Sequence, residues 1–245
     1  MENQALDAYE SGMHSARGRF AKDPSLGTIL AAEIDPAFLE SFLIHFSALG
    51  VAMTEPVEDW IRRAGARCEE IGLNELGQAL RKHASHEAGH HHLMVQDTRS
   101  LVSRWNSRRP FPLDADRILA QPLTPGVRMY RQLHEDVILG GSPFCQLAIE
   151  YEIEMLSVQF GPRFIEQCVS VLAPEIASSL TFLREHVALD VRHTRFNRQE
   201  LEKILTSHPK FVNPLVETGR AALHAYAAFL KDCLVIARMQ VKGMG

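Results

Sequence analysis

The sequence predicts an all-α protein built as a single bundle of seven to eight helices. Apolar residues recur at steps of three and four along most of the chain, which is the period of one helix face. Proline and glycine divide the chain into segments of helical length. The sequence lacks alternating apolar and polar runs joined by Asn-Gly or Asp-Gly, which are the signals of β-hairpins.

Residues 1–26 are predicted to form a flexible N-terminal arm, because their apolar periodicity is weak, and residues 27–245 to form the helical domain. Asp35-Pro36 and Thr124-Pro125 each combine an N-cap residue with proline at the first helical position. Gly161-Pro162 is expected to kink or end the helix before it. The helices are expected, in order, at about 36–49, 54–71, 74–105, 125–139, 143–160, 174–207 and 214–239.

Composition narrows the class of protein. The chain has 245 residues, 46% hydrophobic and 23% charged, with a net charge of −4. We therefore expect no nucleic-acid partner, because no basic field is available for a phosphate backbone. A membrane span is not expected either, because no apolar run reaches about 18 residues. Four cysteines without a CxxC pair suit a reducing compartment, which predicts a cytoplasmic protein.

One stretch of the chain places three possible metal ligands on a single helix face. His186, Asp190 and His193 stand at i, i+4 and i+7, so they project in nearly the same direction. The same stripe continues backwards through Leu183 and Ser179, which are uncharged, so it is not a row of solvated charges. Two imidazoles and a carboxylate on one face can bind one cation.

A histidine-rich segment supplies a second set. His83, Glu87, His90 and Asp97 are predicted to share a face of the 74–105 helix, with Glu87 and His90 at i and i+3. An E-x-x-H pair on a helix is the half-site found in helical-bundle carboxylate metal proteins. The adjacent His91-His92 pair points elsewhere and, with the long last helix, is a candidate contact of a homodimer.

The third set is a run of glutamates. Glu154 falls in an otherwise apolar row with Tyr151, so these two residues are the candidate catalytic groups, and Glu154 is also a candidate ligand. Glu150 is the second choice, and Glu152 lies on another row. A buried carboxylate needs a cation or a hydrogen-bond donor. Histidines and carboxylates from three helices suit a pair of iron or manganese ions better than zinc.

These motifs resemble those of the haem-oxygenase-like diiron oxidases and oxygenases, a group that includes the chlamydial protein associating with death domains. The resemblance covers roughly residues 35–240. It implies a haem-oxygenase-like bundle with two iron ions, the second of them labile, that uses dioxygen and an electron donor to oxidise a small molecule. The reactions implied are N-oxygenation, desaturation or oxidative C–C cleavage. The ligands implied are Glu87, His90, Glu154, His186, Asp190 and His193, with Glu154 as a candidate bridge between the metals.

The sequence departs from the family pattern at the first ligand helix. His83 stands where many members carry glutamate, and His86 stands where an acidic residue usually precedes Glu87. His83, His86 and Asp97 therefore remain alternative ligands. Three other functions are consistent with the same outline: a metal-independent thiaminase-like or quinone-cofactor-synthase-like enzyme using Cys145 or Cys168, a haem oxygenase with His45 as axial ligand, and a non-catalytic binding protein.

Overall fold

The computed structural model describes residues 4–243, and within that range it contains α-helices and short 3₁₀ turns but no β-strand. The predicted all-α class is therefore confirmed. The helices are α1 (Gln4–Ala21), α2 (Pro24–Ile29), α3 (Pro36–Thr54), α4 (Val57–Glu70), α5 (Asn74–Ala84), α6 (His91–Asn106), α7 (Ala115–Leu119), α8 (Pro125–Leu139), α9 (Gln146–Leu172), α10 (Thr181–Ser207) and α11 (Val212–Lys242).

Local sequence signals fix several helix starts as predicted. The Asp35 carboxylate accepts a hydrogen bond from the Phe38 N–H at 2.8 Å, at the start of α3. The Thr124 hydroxyl accepts one from the Val127 N–H at 3.4 Å, at the start of α8. Each cap satisfies an N–H group that has no partner within its own helix.

The long helix predicted for residues 74–105 is wrong, because the structure divides it into α5 and α6. Residues 85–90 form a turn between them, in which Gly89 adopts a φ of 81°, a value that glycine reaches without steric cost. Glu87 and His90 consequently lie in this turn, which we call the α5–α6 turn, and not on a helix. The structure also differs from the prediction at the N-terminus, where Gln4–Ala21 forms a helix.

The predicted flexible arm is a helix over most of its length. The apolar side chains of α1 at Leu6, Tyr9, Met13 and Phe20 are each at most 5% exposed and belong to the common core. This helix packs against α11. The buried positions recur at three and four residues, a helical stripe that intervening polar and glycine residues obscure in the sequence.

Proline acts differently at two positions. Pro162 lies inside α9, which continues to Leu172, so of the two predicted alternatives, a kink or an end, the end is wrong. The helix predicted from residue 174 instead begins with a 3₁₀ turn, Pro174–Ser179, and α10 starts at Thr181. The break follows Ala173, whose φ of 73° is unusual for a residue with a side chain.

The helices pack around one apolar core in which α9 lies along α10, α3 along α6, and α11 along α8 and α3. Within the described residues, one stretch, Pro36–Glu70, is long and apolar enough by composition to cross a membrane, with a mean hydropathy of 1.5. Because 72% of that window is buried inside the bundle, it has the character of a core element. The cytoplasmic location stays a prediction.

Candidate metal centre

The α10 stripe faces the interior, as the spacing predicted. Asp190 is 2% exposed and His193 is 7% exposed, and His186 is half-buried. The Nδ1 atom of His193 lies 3.6 Å from the Asp190 carboxylate. The Nδ1 atom of His186 lies 2.9 Å from the Phe182 carbonyl one turn earlier. With that nitrogen donating its proton to the carbonyl, the Nε2 atom of His186 keeps a free lone pair.

The α5–α6 turn brings Glu87 against this stripe. One oxygen of Glu87 lies 3.0 Å from His90 Nδ1, and the other lies 3.1 Å from His193 Nδ1. The imidazole rings of His90 and His186 are 4.8 Å apart. The sequence grouped Glu87 with His90 through helical spacing, and the structure keeps them together by a tight turn.

Glu154 completes the cluster from α9. One carboxylate oxygen of Glu154 lies 3.2 Å from His83 Nε2 and 3.7 Å from His193 Nδ1. The other oxygen accepts a hydrogen bond from Asn197 Nδ2 at 2.6 Å. His83, one of the alternative ligands that the sequence offered, is 2% exposed and lies within the cluster.

The ligand atoms fall into two groups that share one residue. His83, Glu87, Glu154 and His193 offer four atoms that all lie within 4.8 Å of one another, and Glu87, His90 and His186 offer three. Glu87, which belongs to both groups, is thus placed between two potential metal positions, a place that the family resemblance suggested for Glu154. Asp190 lies beside both groups. His86, an exposed residue, offers an atom only to a third group, with His83 and His193.

Two buried atoms at the junction of the groups suit a bound cation. Oε1 of Glu87 and Nδ1 of His193 are shielded from solvent and, although 3.1 Å apart, make no hydrogen bond with each other or with another group. Leaving such groups without partners costs about 1–3 kcal/mol each. A metal ion coordinated by both atoms would satisfy them, and a mixed set of imidazoles and carboxylates fits iron or manganese.

Burial and contacts within the cluster shift the pKa values of its side chains in different directions. Burial raises the pKa of Glu154 well above its usual value, and repulsion from Asp190 adds to this rise. Burial would also raise the pKa of Glu87, but the close contacts with the His193 and His90 side chains bring it below its usual value. Contacts with Asp190 and Glu87 raise the pKa of His193 to about 10. Burial lowers the pKa values of His83 and His186.

Asp97 has a structural role that the sequence did not reveal. Its carboxylate accepts hydrogen bonds from the Thr181 N–H at 2.9 Å, the Thr181 hydroxyl at 2.7 Å and the Phe182 N–H at 2.9 Å. These N–H groups belong to the first turn of α10. Asp97 therefore caps the helix that carries three of the predicted ligands, and its oxygens are used there and not at the cluster.

Tyr151 is not brought to the cluster, so its predicted catalytic role lacks support from its position. Its hydroxyl donates a hydrogen bond to Glu10 of α1 at 3.1 Å. Glu152 also faces α1, where it accepts hydrogen bonds from the Tyr9 hydroxyl at 2.7 Å and from Arg17. Both residues lie on the side of α9 that contacts α1, whereas Glu154 faces the ligand cluster.

A cavity of about 160 Å³ adjoins the cluster. Glu87, Glu154, His186 and Asp190 form its polar end, together with Glu150. Burial raises the pKa of Glu150 to about 8, and the nearby Glu154 adds to this. Two tyrosines that sequence reasoning missed, Tyr130 and Tyr226, also line the cavity. A lone tyrosine in an apolar helix stripe carries no sequence signal that distinguishes it from a core residue.

The residues proposed for other chemistries lie away from this cavity. Both ring nitrogens of His45 face glutamine side chains, Gln121 at 3.3 Å and Gln240 at 2.7 Å, so neither is free for a haem iron. Cys145 and Cys168 are buried and do not line the cavity. Burial raises the pKa of each thiol to about 12, which disfavours the nucleophilic thiolate.

Comparison with known proteins shows a shared fold. No sequence-family profile matches the chain, and no curated protein matches it significantly in sequence. A domain of unknown function with a haem oxygenase-like fold from Shewanella denitrificans superposes with a TM-score of 0.74 at 16% identity, over 99% of this chain and 94% of that one. A TenA homolog from Pseudomonas syringae pv. tomato gives 0.67 at 14% identity, over 96% of each chain. The chain therefore has a haem oxygenase-like all-α fold, as the sequence resemblance implied.

Proposed function

We propose that this protein is a non-haem diiron oxidase or oxygenase that activates dioxygen to oxidise a small molecule. The observation that supports it is the pair of ligand groups sharing Glu87 beside a largely apolar cavity. The fold alone does not choose this activity, because one fold hosts many chemistries. The buried, unpartnered atoms of Glu87 and His193 are more informative, because a site without a cation leaves them unsatisfied.

The chain's own side chains would hold and isolate the metal ions. His83, Glu154 and His193 would bind one ion and His90 and His186 the other, with Glu87 shared between them. Two iron ions, or manganese ions, would supply electrons to dioxygen, and an external electron donor would reduce them again. Asn197 orients the Glu154 carboxylate through its hydrogen bond. Apolar side chains in the cavity wall would limit the access of water and competing reductants to the ions.

Metal stoichiometry tests the proposal. We expect the chain to bind close to two ferrous ions under anaerobic conditions. Glu87→Ala should lose most binding at both positions, whereas His186→Ala should retain about one ion. His92→Ala is the matched control, because this exposed histidine lies in the same segment but in neither group. Adding oxygen to the loaded parent should give a transient absorbance change by stopped flow.

The contradicting result is equally specific. If Glu87→Ala and His186→Ala both bind two irons as tightly as the parent, the ligand assignment is wrong. If the parent binds neither iron nor manganese in separate titrations, the proposed chemistry is wrong as well. Binding is also expected to weaken at acidic pH, because protonated carboxylates and imidazolium groups cannot ligate a metal.

A metal-independent thiaminase-like or quinone-cofactor-synthase-like enzyme is the second candidate. The structural similarity to the TenA homolog concerns only the fold, so it supports this candidate as much as the first. The thiols do not favour it, because Cys145 and Cys168 are buried away from the cavity. Turnover by chelator-treated protein that is abolished by alkylating one cysteine would support this second function. The homodimer predicted from the sequence stays a prediction.

A further inference from the structure

The wall of the cavity next to the candidate metal centre combines two kinds of side chain. Carboxylates and the His186 imidazole form one part of it, and the remainder is mainly aromatic and aliphatic. Phe42, Phe46, Phe164 and Phe229 form a continuous aromatic group there, with Phe46 contacting the Phe164 and Phe229 rings at centroid distances of 6.5 and 5.5 Å. The first two helices of the chain close part of the wall through Phe20, Leu26 and Ile29.

The size of the cavity limits what can occupy it. Its volume is about 160 Å³. An apolar cavity of about 150 Å³ lined by leucine, isoleucine and phenylalanine stays dry and binds benzene. The space beside the metal centre therefore suits a group the size of a benzene ring or a short alkyl chain, and its apolar walls offer water few hydrogen bonds.

The charges of the lining limit the occupant further. Among the described residues that line the cavity there is no lysine or arginine, whereas four carboxylates, Glu87, Glu150, Glu154 and Asp190, are present. An anionic group in the apolar part would have no counter-ion, and burying an unpaired charge is strongly unfavourable. An ammonium group on an occupant of this size would lie at the carboxylates, on the positions proposed for the metal ions, and the ions would repel it.

We propose that the substrate group held in this cavity is uncharged and apolar, an aromatic ring or a short alkyl chain, with the bond to be oxidised directed towards the ligand cluster. The role of the cluster in oxidation rests on the proposed function, but occupation of the cavity does not require a metal. Apolar complementarity then supplies most of the binding free energy, at roughly 25 cal/mol per Å² of buried apolar surface. Selection is by size and by the absence of charge.

Toluene, benzoate and benzylamine are suitable probes, because they differ mainly in charge. We expect toluene to bind the full-length chain with and without Mn²⁺, in the absence of oxygen, as measured by a ligand-induced rise in Tm and by NMR. Benzoate should bind the metal-free chain, and benzylamine the Mn²⁺-loaded chain, at least tenfold more weakly than toluene binds the same form. If either charged probe binds that form as tightly as toluene, the proposal of an uncharged occupant is overturned.

Variants of one residue test the location. Ser157 lies on α9 and lines the cavity, so Ser157→Phe should fill space and weaken toluene binding at least tenfold, whereas Ser157→Ala should not. Gln159→Phe is the control, because it adds the same ring at an exposed position of α9. Circular dichroism checks the folding of each variant. Equal toluene affinity in Ser157→Phe and the parent would overturn the assignment to this cavity.

The outcomes separate this inference from the proposed function. If toluene binds neither form of the protein while two irons still bind, the inference about the cavity is wrong and the metal centre stands. If toluene binds as expected but iron and manganese do not, the proposed oxidase function is wrong and the apolar binding site stands.

Discussion

Replacing His134 with phenylalanine is expected to remove about 2 kcal/mol of acid destabilisation between about pH 7 and pH 5. His134 has no solvent exposure and stacks on Trp60 with a ring separation of 4.0 Å. Its Nδ1 atom accepts a hydrogen bond from Gln146 Nε2 at 2.9 Å, and the same amide donates to Glu150 at 2.5 Å. His134 therefore helps to orient a carboxylate of the cavity while remaining neutral itself.

The magnitude follows from the difference in proton binding between the two states. Burial lowers the pKa of His134 to about 3, with the Gln146 hydrogen bond opposing only part of this effect. In the unfolded chain the pKa of histidine is about 6.5. As the pH falls below that value the unfolded chain binds a proton that the folded chain excludes, so folding loses about 1.4 kcal/mol per pH unit. Integration from about pH 7 to pH 5 gives about 2 kcal/mol.

Urea unfolding of the chelator-treated protein at several pH values measures this effect. His134→Phe keeps the stacking on Trp60 but cannot titrate, so the free energies of unfolding of parent and variant should converge by about 2 kcal/mol as the pH falls from about 7 to 5. His14→Phe removes an exposed histidine and serves as the control. Parallel pH curves for His134→Phe and the parent would refute the reasoning, because His134 would then titrate alike in both states.

Three further predictions concern the scaffold. Arg17→Ala should destabilise the fold by about 3–5 kcal/mol, because it leaves the buried carboxylate of Glu152 without its cation. Arg19→Ala, at an exposed site, should change stability by less than about 0.5 kcal/mol, and urea unfolding of both variants tests this. Gly126→Ala should destabilise the fold by about 1–3 kcal/mol, because a Cβ there would lie 2.4 Å from a backbone nitrogen of α11. Gly18→Ala, where a Cβ would meet no neighbouring atom, should stabilise it by about 0.5–1 kcal/mol. The two variants should therefore shift Tm in opposite directions, and shifts of the same sign would contradict this. Asp97→Ala should lower stability by about 1–2 kcal/mol and weaken iron binding, both measurable by titration, because α10 loses its N-terminal cap; unchanged iron affinity would show that the cap does not position the ligands.

The parts of the fold that the sequence predicts are those set by neighbours along the chain. Asp35 and Thr124 cap their own helices, so a short motif is sufficient to locate each start. The α10 stripe is equally local, because His186, Asp190 and His193 share a face whatever the rest of the chain does. The confirmed all-α class follows from the same helical period.

The errors arise where distant contacts decide. The turn that divides the predicted 74–105 helix depends on Gly89 at positive φ. A single glycine within a helical pattern does not by itself predict that the helix ends there. The N-terminal helix is ordered by burial against α11 and by the contact between Arg17 and Glu152, which are 135 residues apart. The proximity of Glu87 to two groups of candidate ligands also depends on distances across three segments, which the sequence does not contain.

The cluster is difficult to explain as a device for stability. Leucine or valine at the positions of Glu154, Asp190 and His193 would contribute apolar burial, whereas ionisable groups there require compensation for lost hydration. Their hydrogen bonds provide only part of it, because atoms of Glu87 and His193 remain without partners. Perturbed ionisable groups concentrated beside a cavity are typical of functional sites. We therefore expect a bound cation to supply the compensation that the side chains around these two atoms do not provide.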